Sequence, residues 1–461
     1  MNDDLVIDAE VLRRFDRPGP RYTSYPTADR FVEAFDAAAY RRALERHADG
    51  GRSRPLSLYV HLPFCSTICY YCACNKVITK DHGRSAKYLR YLGRELELAT
   101  AVLGEGERVQ QLHWGGGTPT FLSAAELREL IAMIRARFAL DPDGEYSIEI
   151  DPRSAPPEIV ALLGELGFNR LSVGVQDFDP GVQRAVNRVQ SYEITAAAIA
   201  AARASGFRSV NVDLIYGLPR QNVPRFAETL FKVLSLKPDR IALYNYAHLP
   251  AVFKPQRRIN ESELPTAGAR IDLLTLAIRT FLRAGYQYIG MDHFAKPDDE
   301  LAQAQWLGHL HRNFQGYSTR AESDLVALGV SAIGSVGPTY SQNVKTLDEY
   351  YDCLDRGELP VLRGVELSGD DLVRRAVIQA LMCRFEVSRE AIEIAYLIDF
   401  KRYFAAELEA LREYENLGLV EVTDEWITVT ARGRLVVRGI CMLFDRYLRE
   451  AETRARYSKV V

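Results

Sequence analysis

The stretch LSLYVHLPFCSTICYYCACNK, residues 56–76, joins a β-rich run to a loop that carries four of the chain's seven cysteines. The first half of that pattern recurs along the chain. Short β-rich runs stand at VQQLHW (109–114), EYSIEID (145–151), NRLSVGV (169–175), RSVNVDLIYG (208–217) and DRIALYNY (239–246). Between them lie helical-period segments such as AKYLRYLGRELELATAVL, SAAELRELIAMIRARF and ITAAAIAAARASGF. Six strand–helix repeats imply a parallel sheet, because each return to the same sheet edge needs a crossover helix. Most of the runs end in polar or Gly-rich turns, where α/β barrels place their chemistry. Six repeats fall short of a closed eight-unit barrel. The fold class expected is therefore α/β, an open partial (β/α)6 barrel within residues 51–364.

The remainder frames that barrel. Residues 1–50 hold a polar segment, then PGPRYTSYPT (18–27), then a helix near 35–48; three prolines and a glycine in ten residues make the middle part extended. It is expected to form a flap over the barrel opening. From 365 to 461, helical runs around 369–383, 388–396 and 400–416 precede two short strands in GLVEVTDEWITVTARG (418–433) and a last helix. That order predicts a small, mostly helical, winged-helix-like domain. It carries 15 Lys+Arg against 17 Asp+Glu from residue 366 onward, so no phosphate-binding face is expected, and no nucleic-acid partner. The whole chain has 461 residues, a net charge of −3, 47% hydrophobic and 26% charged residues, the balance of a soluble globular protein. No apolar run is long enough to span a bilayer, and the acidic MNDDLVIDAEV start lacks the features of a signal peptide. Isolated Cys353, Cys383 and Cys441 make a poor disulfide framework, so a reducing, cytoplasmic location is expected, with the chain acting as a monomer.

The crowded cysteines need their own account. Cys65, Cys69, Cys72 and Cys74 have a C-x3-C-x2-C-x-C spacing on a loop. Thiolates are preferred ligands of both zinc and iron–sulfur clusters. Structural zinc usually takes paired C-x2-C arms from two segments, and there is no second arm. A lone thioredoxin-like C-x2-C leaves the upstream cysteine unexplained, and four unligated cysteines in ten residues of polar loop would be odd. The first three match a cubane held by three thiolates, leaving one iron open to chelation by a small molecule.

With Tyr71 before Cys72 and a strand before the loop, this spacing resembles the radical S-adenosylmethionine enzymes. The resemblance implies a [4Fe-4S] cluster and a 5′-deoxyadenosyl radical, able to take hydrogen from carbons no side-chain base could deprotonate. HWGGGTPT (113–120) closes the second strand. Its three glycines let the backbone approach a ligand, and it resembles the superfamily's glycine motif at the methionine end of that ligand.

The resemblance extends over almost the whole chain. RYTSYPT (21–27), YVHLPFCSTICYYCACNK (59–76), HWGGGTPT, GVQDF (174–178), LIYGLP (214–219), NYAHLP (245–250), GMDHFAKPDDELA (290–302) and HRNFQGY (311–317) are similar to the oxygen-independent coproporphyrinogen III oxidases. That family turns two propionates of a porphyrinogen into vinyl groups, with loss of two carbon dioxides. It implies Cys65, Cys69 and Cys72 as cluster ligands and two adenosylmethionine sites made from Tyr59, Tyr71, Gly116, Gly117, Thr118, Glu149, Gln176, Arg188, Asp213, Ala247 and Ile333. Within these, Glu149 and Asp213 suit ribose hydroxyls and Arg188 suits a carboxylate, two strands away from the cysteine loop. Catalytic roles are implied for Tyr59, Glu149 and Cys74. The implied partners are coproporphyrinogen III and an external electron donor and acceptor. A substrate with four carboxylates calls for local cations, for which Arg21, Arg312, His311 and Lys296 are candidates. A haem-binding chaperone, a haem-ring-opening enzyme and a zinc-stabilised binding protein are the competing readings; Cys74, RYTSYPT and HRNFQGY argue against the first two.

Overall fold

The structure, a computed structural model, describes residues 5–50 and 54–449; residues 1–4, 51–53 and 450–461 lie outside them. The six expected strands are β1 (Leu56–Leu62), β2 (Glu107–Gly116), β3 (Phe138–Ile150), β4 (Arg170–Gln176), β5 (Ser209–Tyr216) and β6 (Arg240–Asn245). They pair in chain order, each parallel to the next. Helices return the chain between them, and their apolar stripes decide which face is buried. Gly83–Leu103, for example, buries Tyr88, Leu89, Leu92, Leu96, Ala99 and Leu103 at helical spacing and stops at Gly104, whose φ of 91° a side chain would resist. A Ser123–Glu126 capping box starts the helix Ala124–Arg135.

The sheet is twice as wide as the six repeats suggest. On the β1 edge, Asp324–Leu328 adds in parallel, then come antiparallel Ile333–Val336, Thr339–Asn343 and Val361–Glu366. On the β6 edge, His293–Ala295 and Gln287–Gly290 add antiparallel, making twelve strands. β3 also begins earlier than expected, at Phe138. Its Asp141–Gly144 stretch, which reads as a turn, is absorbed as an irregularity opposite Val109–Gln111.

In the C-terminal region, the strands Glu386–Ser388, Trp426–Val429 and Val420–Val422 form a small antiparallel sheet beside the helices Gly369–Arg384 and Ala405–Asn416. The helix expected over 400–416 is broken at Phe404 (φ −104°, ψ 28°), since Phe400 and Phe404 are both drawn fully into the core. The PGPRYTSYPT segment is pinned between barrel and C-terminal region. Arg17 Nη2 donates to Tyr414 Oη at 2.6 Å, Arg438 Nε to the Pro20 carbonyl at 3.0 Å, and Tyr22 Oη to Asp445 at 3.0 Å. Tyr22 and Tyr25 are fully buried, so this stretch is a built-in strap.

Candidate active site

All six parallel strands end on one rim, and the cysteine loop leaves it after β1. The loop is closed on itself by a short parallel pairing of Phe64–Cys65 with Val77–Ile78. The glycine run at the end of β2 packs directly beneath it: Gly117 N donates to the Leu62 carbonyl and Thr118 N to that of Phe64, both at 2.8 Å. A Cβ on Gly117 would lie 2.6 Å from the Pro63 backbone, and one on Gly115 would lie 2.9 Å from the Glu149 carboxylate. The glycines therefore do more than clear space for a ligand; they let three rim elements touch. Gly116 adds a φ of 110°.

Glu149, near the end of β3, hangs over this run. Its carboxylate accepts from Gly116 N at 3.3 Å and lies 3.1 Å from His113 Nε2. Burial alone would raise Glu149, but the His113 contact and the amide outweigh it and hold the carboxyl below its ordinary range. Tyr59 stacks on His113 with ring centroids 5.8 Å apart. Its hydroxyl is 3.0 Å from His61 Nδ1, while His61 Nε2 is 3.0 Å from the Asn75 carbonyl. A carbonyl only accepts, so Nε2 carries the proton and Nδ1 accepts from Tyr59. Burial lowers His61 and keeps it neutral, which fixes the Tyr59 hydroxyl against the cysteine loop.

Arg188 lies much closer to the cysteines than its sequence position suggests. It is 6% exposed; Nη1 is 2.8 Å from Asp151 and 3.7 Å from Cys69 Sγ, and Nη2 donates to the Gly174 carbonyl at 2.7 Å. Arg153 reaches the same Asp151 at 2.6 Å and the same sulfur at 3.6 Å. The strand count misleads because residues 177–188 fold back under the loop, with Tyr70 N donating to the Val186 carbonyl at 3.0 Å and Asn187 Nδ2 to that of Ile68 at 2.7 Å. Cys65 Sγ is 3.4 Å from Thr118 Oγ1, and burial pushes its thiol up to about 11. Cys72 is pulled down to about 6, first by a hydrogen bond from Cys74 and then by Lys76. Cys74 itself is exposed.

Inside the barrel, Asp213 accepts from Ser172 Oγ and Asn211 Nδ2, each at 2.9 Å. Burial, then the nearby Glu149 charge, pushes it up to about 6. It borders a cavity of about 160 Å3 shared with His113, Glu149, Tyr244, His293 and Gln315. His293 Nδ1, Gln315 Nε2, Asn211 Oδ1 and Arg188 Nε are buried without a hydrogen-bond partner among the described residues. Asn211, His293 and Gln315 line the cavity and Arg188 does not; orphaned donors and acceptors are costly unless a ligand or water uses them. Gln176 (φ 68°) ends β4, Ala247 comes just after β6, and Ile333 opens a flanking strand, so all three belong to the same rim.

The four cation candidates separate. Arg21, on the strap, pairs with Asp292 and lies over the Tyr244 ring at 5.7 Å. Arg312 Nε donates to the Arg21 carbonyl at 3.1 Å, and its Nη1 is buried without a partner among the described residues. Burial and then Arg312 lower Arg21, and burial and then Arg21 lower Arg438 to about 9, so three guanidinium groups crowd one corner. His311 is pushed down to about 4 by burial and Arg375, which makes it neutral rather than cationic. Lys296 pairs with Asp239 at 3.8 Å, just before β6, at the opposite end of the barrel. It leaves the candidate set. His61, His113, Asp151 and Arg153 join the site without a sequence signal of their own, although each stands inside or just beyond a quoted motif.

A model of the radical SAM superfamily matches residues 59–233, and a model of the HemN C-terminal domain matches 367–436. The oxygen-independent coproporphyrinogen III oxidase of Pseudomonas aeruginosa is 52% identical over 463 residues, covering 100% of both chains. That of Escherichia coli K12 is 46% identical over 454 residues, covering 98% of each. The solved structure of coproporphyrinogen III oxidase (HemN) from Escherichia coli, a radical SAM enzyme, superposes with a TM-score of 0.91 at 45% identity, covering 96% of this chain and 99% of that one.

Proposed function

This chain belongs to the oxygen-independent coproporphyrinogen III oxidases, a family of radical SAM enzymes, and we propose that it converts two propionates of coproporphyrinogen III to vinyl groups, giving protoporphyrinogen IX. The observation that carries this reading is the meeting of the cysteine loop, the glycine run, Glu149 and Arg188 on one rim, beside a cavity edged by orphaned polar atoms.

The residues fit the cofactors of this family. Cys65, Cys69 and Cys72 would hold a [4Fe-4S] cluster, and the cluster with S-adenosylmethionine supplies a 5′-deoxyadenosyl radical that abstracts hydrogen. Arg188, with an unused Nε and a planar fork, would take the adenosylmethionine carboxylate. Glu149 and Asp213 would take ribose hydroxyls; Asp213, with its raised pKa, gains from a donor that stabilises its charged form. Gln176, Ala247 and Ile333 complete the rim, which with the residues above would hold two adenosylmethionine molecules serving two vinyl groups. Tyr59, held by His61, and Cys74 would take the catalytic roles with Glu149. The strap and the Arg21–Arg312–Arg438 corner supply cations, with Asp292 paired to Arg21, which suits a substrate carrying four carboxylates. The about 160 Å3 cavity is too small for a tetrapyrrole, so only one side arm could enter the barrel.

Anaerobic protein loaded with iron should show cluster absorption and, with coproporphyrinogen III and a reductant, form two 5′-deoxyadenosines and two carbon dioxides per divinyl product. Deoxyadenosine without vinyl product would leave a radical SAM enzyme with a different substrate. Neither product would overturn the reading.

A further inference from the structure

The proposed chemistry consumes one electron from outside for every adenosylmethionine cleaved, and the surface next to the cysteine loop has the features of a docking face for the protein that delivers it. We propose that the exposed surface formed by Arg184, Val189, Val252, Lys254, Arg257 and Arg258 receives an acidic one-electron carrier protein. The inference rests on the cluster assignment made above.

Two segments, residues 184–189 and 252–258, build this face, and both are fastened to the cysteine loop. The stretch around Val186 accepts from Tyr70 N, and Asn187 holds the Ile68 carbonyl. Gln256, in the turn Lys254–Arg258, donates to the Tyr71 carbonyl at 3.1 Å. Arg258 lies 5.5 Å over the ring of Tyr70, the residue next to Cys69. A protein seated here would rest on segments bonded directly to the backbone on either side of Cys69.

Charge and polarity choose the occupant. Arg184, Lys254, Arg257 and Arg258 have no carboxylate partner among the described residues. Of the acidic groups nearby, Glu263 pairs with Arg220 at 2.7 Å and Asp179 with Arg225 at 3.7 Å, while exposed Glu261 contacts only His248, at 3.0 Å. Four cations without an ion pair among the described residues therefore outnumber the one carboxylate left beside them, on a protein whose net charge is −3. On the same two segments Val189 and Val252 are 65% and 67% exposed, among the more exposed large apolar side chains of the described residues. Apolar contacts ringed by one sign of charge suit a transient partner of the opposite sign, with charge setting the encounter rate. In the step proposed, the carrier's reduced cofactor loses one electron and the cluster gains it; no atom or proton is transferred.

The test compares two reductants on the iron-loaded protein: dithionite, which needs no docking face, and a reduced flavodoxin of strongly acidic surface. The triple variant Arg184→Glu, Lys254→Glu, Arg257→Glu should form deoxyadenosine with dithionite at the parent rate. With limiting flavodoxin its rate should fall by about tenfold or more, and the parent's fall between low and high salt should largely vanish. Equal flavodoxin-driven rates in parent and variant overturn the docking face. Loss of dithionite-driven chemistry in the parent strikes the cluster assignment instead. If the triple variant loads iron poorly, Arg184→Gln alone carries the test: a several-fold drop restricted to flavodoxin supports the face, and an unchanged rate overturns it.

Discussion

At the N-terminal end of the barrel strands, Arg170 gives two hydrogen bonds to Glu300 and two more to the oxygens of Asn169. Close by, Asp299 takes Arg240 Nε and Ser209 Oγ and caps the helix Glu300–Trp306 through Leu301 N. Toward the C-terminal end Arg188 keeps an unused Nε and Asp213 is pushed up to about 6. The cavity lined by His293 and Gln315 runs down the barrel to Arg170, Ser209 and Arg240, whose Nη2 also lacks a hydrogen-bond partner among the described residues. Matched charges give their interaction energy to folding. Charges left incompletely satisfied hold it for a ligand, at a cost to the empty protein. Residue type does not separate the two ends; they differ in degree, Arg170 and Asp299 being the more completely bonded and Asp213 and Arg188 the less.

The largest effects should come from the cysteine loop. Alanine at Cys65, Cys69 or Cys72 should abolish cluster absorption, since water replaces an anchoring thiolate poorly, while far-UV dichroism stays at the parent level. Cys74→Ala should keep its iron and lose turnover; iron loss there would make Cys74 a ligand. Next comes Arg188→Ala. Asp151 keeps Arg153 at 2.6 Å, so the melting temperature should move by only about 1–2 °C. Adenosylmethionine affinity should fall by about tenfold or more, which titration of the iron-loaded variant would read. A large stability loss with unchanged affinity would make Arg188 a floor residue at the rim and break the comparison.

The converse variant sits at the floor. Arg170 is 5% exposed and donates four hydrogen bonds, so Arg170→Ala should lower stability by about 1–3 kcal/mol, moderated because Glu300 is half-exposed and can be rehydrated. Iron content and adenosylmethionine affinity should not change. Denaturant midpoints beside a binding titration give both readings.

Much of this contrast is legible in the sequence, and the reason is local. Cys65-x3-Cys69-x2-Cys72 and Gly115–Gly117 carry their constraint within a few residues, so spacing alone exposes it. The six parallel strands are readable because each β-rich run precedes a helical stripe. The six flanking strands are not: Asp324–Leu328 lies beside β1 although the whole of residues 63–323 separates them along the chain, and no periodicity reports such a pairing. The contact of Arg188 with Cys69 is of the same kind, since it depends on how residues 177–188 fold back. Lys296 shares a motif with His293 yet pairs with Asp239 at the opposite end of the barrel, because a motif says nothing of which end each of its residues faces.

The smallest effect should be the pH response of Asp213. Burial, and then Glu149, raise its folded-state pKa to about 6 from an ordinary value of 3.8. The folded protein therefore binds this proton more tightly than the unfolded chain. The associated stabilisation is complete below the unfolded value and is lost as pH rises through about 6. A shift of that size corresponds to about 2 kcal/mol once the solvating cavity beside Asp213 is discounted. Asp213→Asn cannot ionise, so its melting temperature should exceed the parent's above pH 6 by a few degrees and converge on it toward pH 4. Adding adenosylmethionine to the iron-loaded parent should flatten the parent's own slope, because a hydroxyl donated to the carboxylate favours the charged form. Parallel melting profiles for parent and variant from pH 4 to pH 7 would show that Asp213 is already satisfied, and would move it from the rim's unfinished set to the floor's completed one.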